Sequence, residues 1–360
     1  MNSMTMPSQQ EMLAAVMARN DSYDGVFVTA VRTTGIFCRP SCPAKKPHPE
    51  HVTFYPSARE ALVAGFRPCL RCRPLELGGE TPAWLRPLLA EAEADPAKRW
   101  KDADLRRLRL NPDRVRRWFL SQHHMTFHAY TRARRLGLAL GRIQGGDRVT
   151  TSALDHGFDS LSGFNDAFRR LFGAAPTRSG DVKALAVRRL ATPLGAMVAA
   201  AGDDGLYLLE FADRRMLESQ IQRLRRRLPV VFVPGTHDVL EQAARELDEY
   251  FAGTRRTFSL PLATTGSEFQ REVWERLRAV PYGATASYSQ IARALGCPRS
   301  VRAVARANGD NRLAILIPCH RVIGADGQLT GYGGGLWRKQ RLLEHERRNG
   351  GAATPIALDA

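Results

Sequence analysis

Between Leu313 and Ile317 five successive residues are apolar, a run that suits a buried strand. Pro318 has no N–H to give a ladder. The run therefore predicts a strand that presents Cys319 and His320 at its exit. Upstream, "PLGAMVAAAGDDGLYLLEF" sets two apolar stretches about Asp-Asp-Gly and predicts a hairpin. "VLEQAARELDEYFAGTRR" has helical apolar spacing and a stop at Gly253. "FQREVWERLRAV", "ASYSQIARALG" and "SVRAVARANGDN" predict three more helices before the Cys-His pair, and "GYGGGLWRKQRLLEHE" follows it. Nearer the N-terminus, Leu85–Ala94 predicts a helix. Val115, Trp118 and Phe119 would face inward, with Arg114, Arg116 and Arg117 outward. Leu161, Phe164 and Phe168 fall at i, i+3 and i+7 towards a core, with Asp159 or Ser160 as the cap. A short helix before them ends at Gly157.

These two helical stretches read as a pair of helix-turn-helix units, in which the second helix enters a major groove. In the clearer, second unit that helix runs from about Leu161 to Leu171. It leaves Ser162, Asn165, Asp166 and Arg169 as candidate base readers. In the first unit, His123, His124 and His128 lack the cysteine or carboxylate company of a metal site.

The length, 360 residues, allows several domains. The breaks at Gly78, Gly79 and Pro82, and the changes of pattern, divide the chain at 1–77, 84–182, 188–262 and 263–350. Residues 351–360 are expected to be a disordered tail. No apolar run approaches the ~20 residues of a membrane span. The N-terminus has no basic segment followed by a long apolar one, so a cytoplasmic, nucleoid-associated location without membrane contact is expected. The net charge of +17 points to a polyanion, nucleic acid above all. That charge is concentrated, since residues 99–189 hold 19 Lys or Arg against 8 Asp and no Glu.

Four of the six cysteines form two tight pairs, Cys38/Cys42 and Cys69/Cys72. In a reducing compartment such spacing argues metal before disulfide. Two thiolate knuckles make the closed tetrahedral site that Zn²⁺ favours, so one Zn²⁺ per chain is expected. Arg39, Lys45, Lys46, Arg67, Arg71 and Arg73 crowd the knuckles. They would offset a site whose net charge is about −2.

"AVRTTGIFCRPSCPAK" and "FYPSAREALVAGFRPCLRCRP" closely resemble the N-terminal domain of the Ada adaptive-response family. The resemblance implies that Cys38 is also a reagent. It would take a methyl group from a DNA phosphotriester and become a thioether, with Thr34, Lys45 and Arg67 at the DNA. The "GF…F…FRRLFG…P" pattern of residues 157–176 resembles AraC/XylS-type regulators. From 260 to 346, "SY…IA", "RAVA", "PCHRV" and "GYGGG" resemble the O6-alkylguanine-DNA alkyltransferases.

By that likeness Cys319 accepts the alkyl group, His320 takes its proton through a water, and Glu346 steadies the imidazole. Tyr288 supplies a proton to the leaving guanine, Asn311 pins the turn, and Arg302 fills the stack that a flipped base vacates. No organic methyl donor is implied. The implied fold is a multidomain α+β chain: a small zinc-binding α/β module, an all-α helix-turn-helix module, and a two-part alkyltransferase. The last has a small mixed α/β subdomain and a mainly helical, winged-helix-like catalytic subdomain.

The implied function is irreversible, single-turnover transfer of methyl groups from O6-methylguanine and O4-methylthymine to Cys319, and from methylphosphotriesters to Cys38. The second transfer would convert the protein into an activator of alkylation-repair genes. Double-stranded DNA is the expected partner, with RNA polymerase during activation, and the chain is expected to be a monomer. The alternative is a zinc-containing DNA-binding regulator that senses alkylated bases without repairing them. A full set of reactive residues around Cys319 favours the enzyme.

Overall fold

The computed structural model describes residues 6–20, 23–24, 26–72, 74, 81–123, 125–214 and 216–350. The predictions for His124, Arg73, Gly78, Gly79 and the tail 351–360 lie outside them. Helix α1 (Gln9–Ala18) starts at Ser8, whose hydroxyl accepts from the amide of Glu11 at 3.2 Å. Strands β1 (Val28–Val31), β2 (Ile36–Cys38), β3 (Val52–Tyr55) and β4 (Arg67–Pro68) form one sheet in the order β3-β1-β2-β4. Helix α2 (Ala58–Val63) caps its core of Val28, Ala30, Phe37 and Ala61. The β2–β4 pair is parallel, with Ile36 opposite Arg67 and Phe37 opposite Pro68. Cys38 and Cys69 therefore leave neighbouring strand ends in the same direction.

The middle module is helical: α3 (Arg86–Ala94), α4 (Asp102–Arg107), α5 (Pro112–His123), α6 (Phe127–Gln144), α7 (Val149–Asp155) and α8 (Leu161–Phe172). Val115, Trp118 and Phe119 are buried and Arg114, Arg116 and Arg117 exposed, as their spacing predicts. Ser160 caps α8, accepting from the amide of Gly163 at 3.1 Å. Phe164, Phe168 and Phe172 form its buried stripe. Leu161 does not join them: it is 42% exposed, and Phe158 from the preceding turn packs against Phe164 instead, ring centroids 5.1 Å apart. The long helix α6 links both helix pairs and then meets the next sheet at Gly137. A Cβ there would come within 2.7 Å of Val233.

That sheet holds β5 (Lys183–Leu190), β6 (Met197–Gly202), β7 (Gly205–Phe211) and β8 (Val230–Pro234), in the order β7-β6-β5-β8. The β6–β7 hairpin turns at Asp203–Asp204, as predicted. Helix α9 (Leu217–Arg227) precedes β8, and α10 (Asp238–Ala252) packs below the sheet and stops at Gly253 in a left-handed conformation. The C-terminal part follows with α11 (Glu268–Arg278), β9 (Ala286–Ser287), α12 (Tyr288–Ala294), α13 (Val301–Gly309), β10 (Val322–Ile323) and α14 (Leu336–Gly350). One hydrophobic core runs through both parts, from Met197 and Leu209 to Trp274, Ile291 and Leu342.

The stretch Leu313–Ile317 is not the strand its apolar run predicts. Only Leu313 makes a bridge, to Leu209 of the edge strand β7. The amide of Leu209 donates to the carbonyl of Arg312 and that of Ala314 to Leu209, each at 2.8 Å. Beyond this the chain turns, with Ile315 at φ +74°. Asn311 explains the turn. Its Oδ1 accepts from the amide of Leu313 at 2.9 Å and its Nδ2 donates to the carbonyl of Ile317 at 2.9 Å. These side-chain bonds replace a ladder partner. All five apolar residues are buried, so the hydrophobic signal was right about burial and wrong about backbone.

Candidate active site and metal centre

Asn311 Nδ2 also donates to Cys319 Sγ at 3.0 Å. The same amide thus closes the turn and orients the thiol. Cys319 opens a short 3₁₀ turn, Cys319–Arg321, and is buried at the base of a cavity of about 340 Å³. Tyr288, Ala305, Asn308, Tyr332 and the backbone of Gly331–Gly334 line it. The cavity is large enough for a small organic group. Its glycine wall is tight, since a Cβ at Gly334 would lie 2.7 Å from Phe211. Tyr288 opens α12, and its hydroxyl is 3.5 Å from the carbonyl of Gly331. Burial pushes that hydroxyl's pKa up and keeps its proton in place.

Beneath the cavity His320 and Glu346 are wholly buried, with Nε2 2.9 Å from Oε1. Burial alone would raise the pKa of Glu346, but His320 and Arg321 hold it well below the carboxylate range. Arg321 grips both oxygens, at 2.9 and 3.0 Å. Tyr250 Oη at 2.8 Å and the amide of Gly283 at 3.1 Å complete the set. An ionised carboxylate only accepts, so Nε2 of His320 must carry the proton. Burial lowers the imidazole pKa and keeps the ring neutral. Nδ1 is then a buried acceptor, and it has no hydrogen-bond partner among the described residues. A neutral imidazole with a free lone pair beside a buried thiol is the makeup of a proton acceptor.

Sequence reasoning missed Tyr250, Arg321 and Gly283 as holders of the carboxylate. Arg321 could have been suspected from its place in the Cys-His-Arg run, but Tyr250 and Gly283 sit on distant elements. Lys339 was missed too. It is wholly buried, donates to the carbonyls of Val322 and Thr330, and burial pulls its pKa down to about 8.

This arrangement makes the C-terminal module acid-sensitive. Unfolded, His320 binds a proton below about 6.5, whereas the folded ring resists it, so stability falls as pH drops below that value. A second loss begins below about 4.5, where unfolded Glu346 protonates first. Glu346→Gln is expected to cost about 3–5 kcal/mol, because Arg321 loses its buried counter-charge. It should also slow proton transfer from Cys319 by roughly 10²–10⁴-fold, because an amide donating to Nε2 forces the proton onto Nδ1. Urea unfolding between pH 7.5 and 4, with single-turnover kinetics, checks both effects. An unchanged rate would exclude the tautomer argument.

Arg302 is exposed on α13. Of the alanines beside it, Ala303 is exposed and Ala305 half-buried, but Ala307 is buried in the core. With only methyl side chains at Ala303 and Ala305, the outer face of this helix beside Arg302 is slim enough to enter a DNA groove. Ser162 and Arg169 are exposed on α8, as base readers must be, and Asn165 is half-buried.

At the other end of the chain the four sulfurs of Cys38, Cys42, Cys69 and Cys72 lie within 4.8 Å of one another. A tetrahedron with metal–sulfur bonds of ~2.3 Å has edges of about 3.8 Å, which this cluster reaches by small side-chain rotations. The thiols cannot all ionise unaided. A hydrogen bond with Cys72 pushes Cys38 up, burial raises Cys42 to about 11, and the bond from Cys38 lowers Cys72 to about 5. A divalent cation resolves that conflict, so the donor set fits zinc. Bound there, Zn²⁺ keeps a sulfur anionic at neutral pH. Arg39 donates its backbone amide to Cys72 Sγ at 3.4 Å. Thr34, Lys45, Lys46, Arg67 and Arg71 are exposed.

Family models match in the same order as these modules. They are the metal binding domain of Ada at 11–75, a helix-turn-helix domain at 105–179, and the ribonuclease-like and DNA binding domains of 6-O-methylguanine DNA methyltransferase at 187–264 and 268–348. A crystal structure of the O6-methylguanine methyltransferase of Mycobacterium tuberculosis is 38% identical, covering 47% of this chain and 96% of that one, with a TM-score of 0.41. The regulatory protein ada of Salmonella typhimurium is 35% identical, over 92% of this chain and 94% of the relative. The Bifunctional transcriptional activator/DNA repair enzyme Ada of Escherichia coli is 38% identical over 359 residues, 93% of this chain and 95% of the relative. At such identity along almost the whole of both chains, this protein belongs to the family of the bifunctional transcriptional activator and DNA repair enzyme Ada.

Proposed function

We propose that the two thiol sites of this DNA repair methyltransferase divide its chemistry between them. Cys319 takes the methyl group of O6-methylguanine, and of O4-methylthymine, in duplex DNA. Cys38 takes the methyl group of a backbone phosphotriester. The observation that carries the first assignment is the unpartnered Nδ1 of His320, with Nε2 committed to Glu346. In the reaction the S–C bond forms as the C–O bond breaks. The thiol proton passes to His320, and the electron pair stays on the guanine oxygen. Tyr288 at the cavity wall offers the proton that the leaving guanine needs, while Asn311 holds the sulfur on line. Arg302 on the rim supports the duplex once the base has left the stack. The Cys319 cavity is walled by backbone at the glycines, so it takes an extruded base and not a paired one.

Cys38 stands at a strand end beside exposed Thr34, Lys45 and Arg67, which suit a phosphate. Its alkylation removes one negative charge from a face directed at DNA. Repulsion from the backbone falls, and the module adds grip to the sequence reading by Ser162, Asn165 and Arg169. Damage to the backbone thus becomes tighter promoter binding, with RNA polymerase recruited by the bound protein. The chain acts as a monomer in the cytoplasm, on the nucleoid. Its module boundaries are those of the sequence pattern: 1–77, 84–182, 188–262 and 263–350. No helix among the described residues is long and apolar enough to cross a membrane.

The test is mass spectrometry of the full chain after incubation with DNA carrying both lesions. Two methyl groups are expected, one on the Cys38 peptide and one on the Cys319 peptide, with no further uptake. Methyl groups elsewhere, or continued turnover, would refute the assignment.

A further inference from the structure

A second cavity, of about 520 Å³, lies between α9, α11 and α13, away from the thiol. Five guanidinium groups converge on it: Arg223, Arg226 and Arg227 from the end of α9, Arg306 from α13, and Arg312. Among the described residues that line it, the one carboxylate, Asp310, is already taken by Arg223 at 2.5 Å and by Gln270 at 2.9 Å. Arg312 is buried, donates to Thr265 Oγ1 at 2.8 Å, and lies over the ring of Trp274. Burial, with Arg227 and Arg223 nearby, draws its pKa down to about 10. The side chains of Arg226 and Arg306 have no hydrogen-bond or ion-pair partner among the described residues. So large an uncompensated surplus of positive charge is unfavourable until an anion enters.

Helix α13 shows which anion. At 100° per residue, Ala305, Asn308 and Gly309 fall on the flank that lines the Cys319 cavity. Ala303, Arg306, Ala307 and Asp310 fall on the opposite flank and line the basic cleft. Arg302 lies on the crest between the two flanks, exposed. With Arg302 filling the stack that a flipped base vacates, α13 lies in a groove with one DNA strand on each side. If the strand on one side gives its base to Cys319, the strand on the other passes over the cleft.

We propose that this cleft binds the phosphodiester backbone of the strand complementary to the damaged one, through Arg226, Arg227 and Arg306. The site rests on the assignment of Cys319 as acceptor of a flipped base. It adds a grip that the free base cannot use. The cleft thereby makes the enzyme favour duplex over free base without touching the lesion.

The experiment compares the native full chain with Arg226→Ser/Arg306→Ser. Both arginines are exposed, so their loss leaves the core intact. The reading is the methyl-transfer rate at limiting substrate, taken at several salt concentrations, from a duplex and from free O6-methylguanine. This rate reports on the Cys319 module even though other modules also bind DNA. For the duplex, the variant's rate should drop roughly 10- to 100-fold at 0.1 M salt, with a salt slope shallower by about 2. For the free base the rates should agree. Neutral methylphosphonate linkages in the complementary strand should slow the native chain and not the variant. Arg225→Ser, on the same helix but beside Phe232, should leave both rates unchanged. A variant equal to the native chain on duplex, at every salt, overturns the cleft alone. A native chain that reacts with neither substrate overturns the Cys319 assignment, and the cleft with it.

Discussion

A full chain carrying Cys319→Ser is expected to bind methylated duplex and take no methyl group from O6-methylguanine, while Cys38 still accepts one from a phosphotriester. The reaction is a displacement at carbon, and its nucleophile must be an anion or become one as it attacks. Burial raises the thiol's pKa, and Asn311 partly offsets this by donating to the sulfur. The proton must therefore leave during the reaction, towards the open nitrogen of His320. A serine hydroxyl in the same place holds its proton far more tightly than a thiol. Neither Asn311 nor a neutral imidazole can make up the difference. Serine is slightly smaller than cysteine and keeps the bond from Asn311, so stability should change by no more than about 1 kcal/mol. Intact mass after exposure to a duplex with a single O6-methylguanine decides the matter. One added methyl group in the serine variant would remove Cys319 from its role.

The modules of this chain were legible where a short segment carries its own signal. The two cysteine pairs lie on tight knuckles, so local spacing alone foretold the cluster of four sulfurs. Ser160, Gly253 and the Asp203–Asp204 turn acted as local punctuation and stood where expected. The stretch before Cys319 failed for a physical reason. Five buried apolar residues suit a strand, but a strand needs a continuous ladder, and the edge strand β7 offers only the bridge at Leu209. Asn311, outside the apolar run, supplies the remaining bonds and sets the turn.

The candidate catalytic set divides in the same way. Cys319 and His320 are neighbours in sequence, and Glu346 was placed by its likeness to a family motif. The groups that fix the carboxylate could not be read in this way. Tyr250 lies 96 residues before Glu346, and Gly283 lies 63 before it. Nothing local distinguishes that tyrosine from others on an amphipathic helix. The basic cleft was equally hidden. Its arginines come from α9, α13 and the segment after α13, and only the fold turns them towards one space.

Removing zinc with a strong chelator is expected to unfold the N-terminal module and leave transfer to Cys319 intact. The hydrophobic clusters of this module are small: Met12, Ala15, Val16, Val26 and Phe27 on one side, Val28, Ala30, Phe37 and Ala61 on the other. Strand β4 has two residues, and among the described residues the cysteines at its exit are held by backbone bonds and one another. Without the cation the four thiols either stay protonated or repel, and the loops lose their anchor. Structural zinc sites of this type supply on the order of 10–16 kcal/mol of apparent binding energy at neutral pH, more than such clusters can replace. Trp337 gives a direct readout, because this side chain from α14 packs against the cluster of Met12 and Phe27. Chelation should therefore shift the fluorescence of the native chain to the red, and shift it less in Trp337→Phe. Cys38, Cys42, Cys69 and Cys72 should all become reactive towards a thiol reagent, while Cys319 stays protected in its cavity. A chelated chain that keeps its native spectrum and shields those four cysteines would show that the module folds on its own core and that the metal serves chemistry alone.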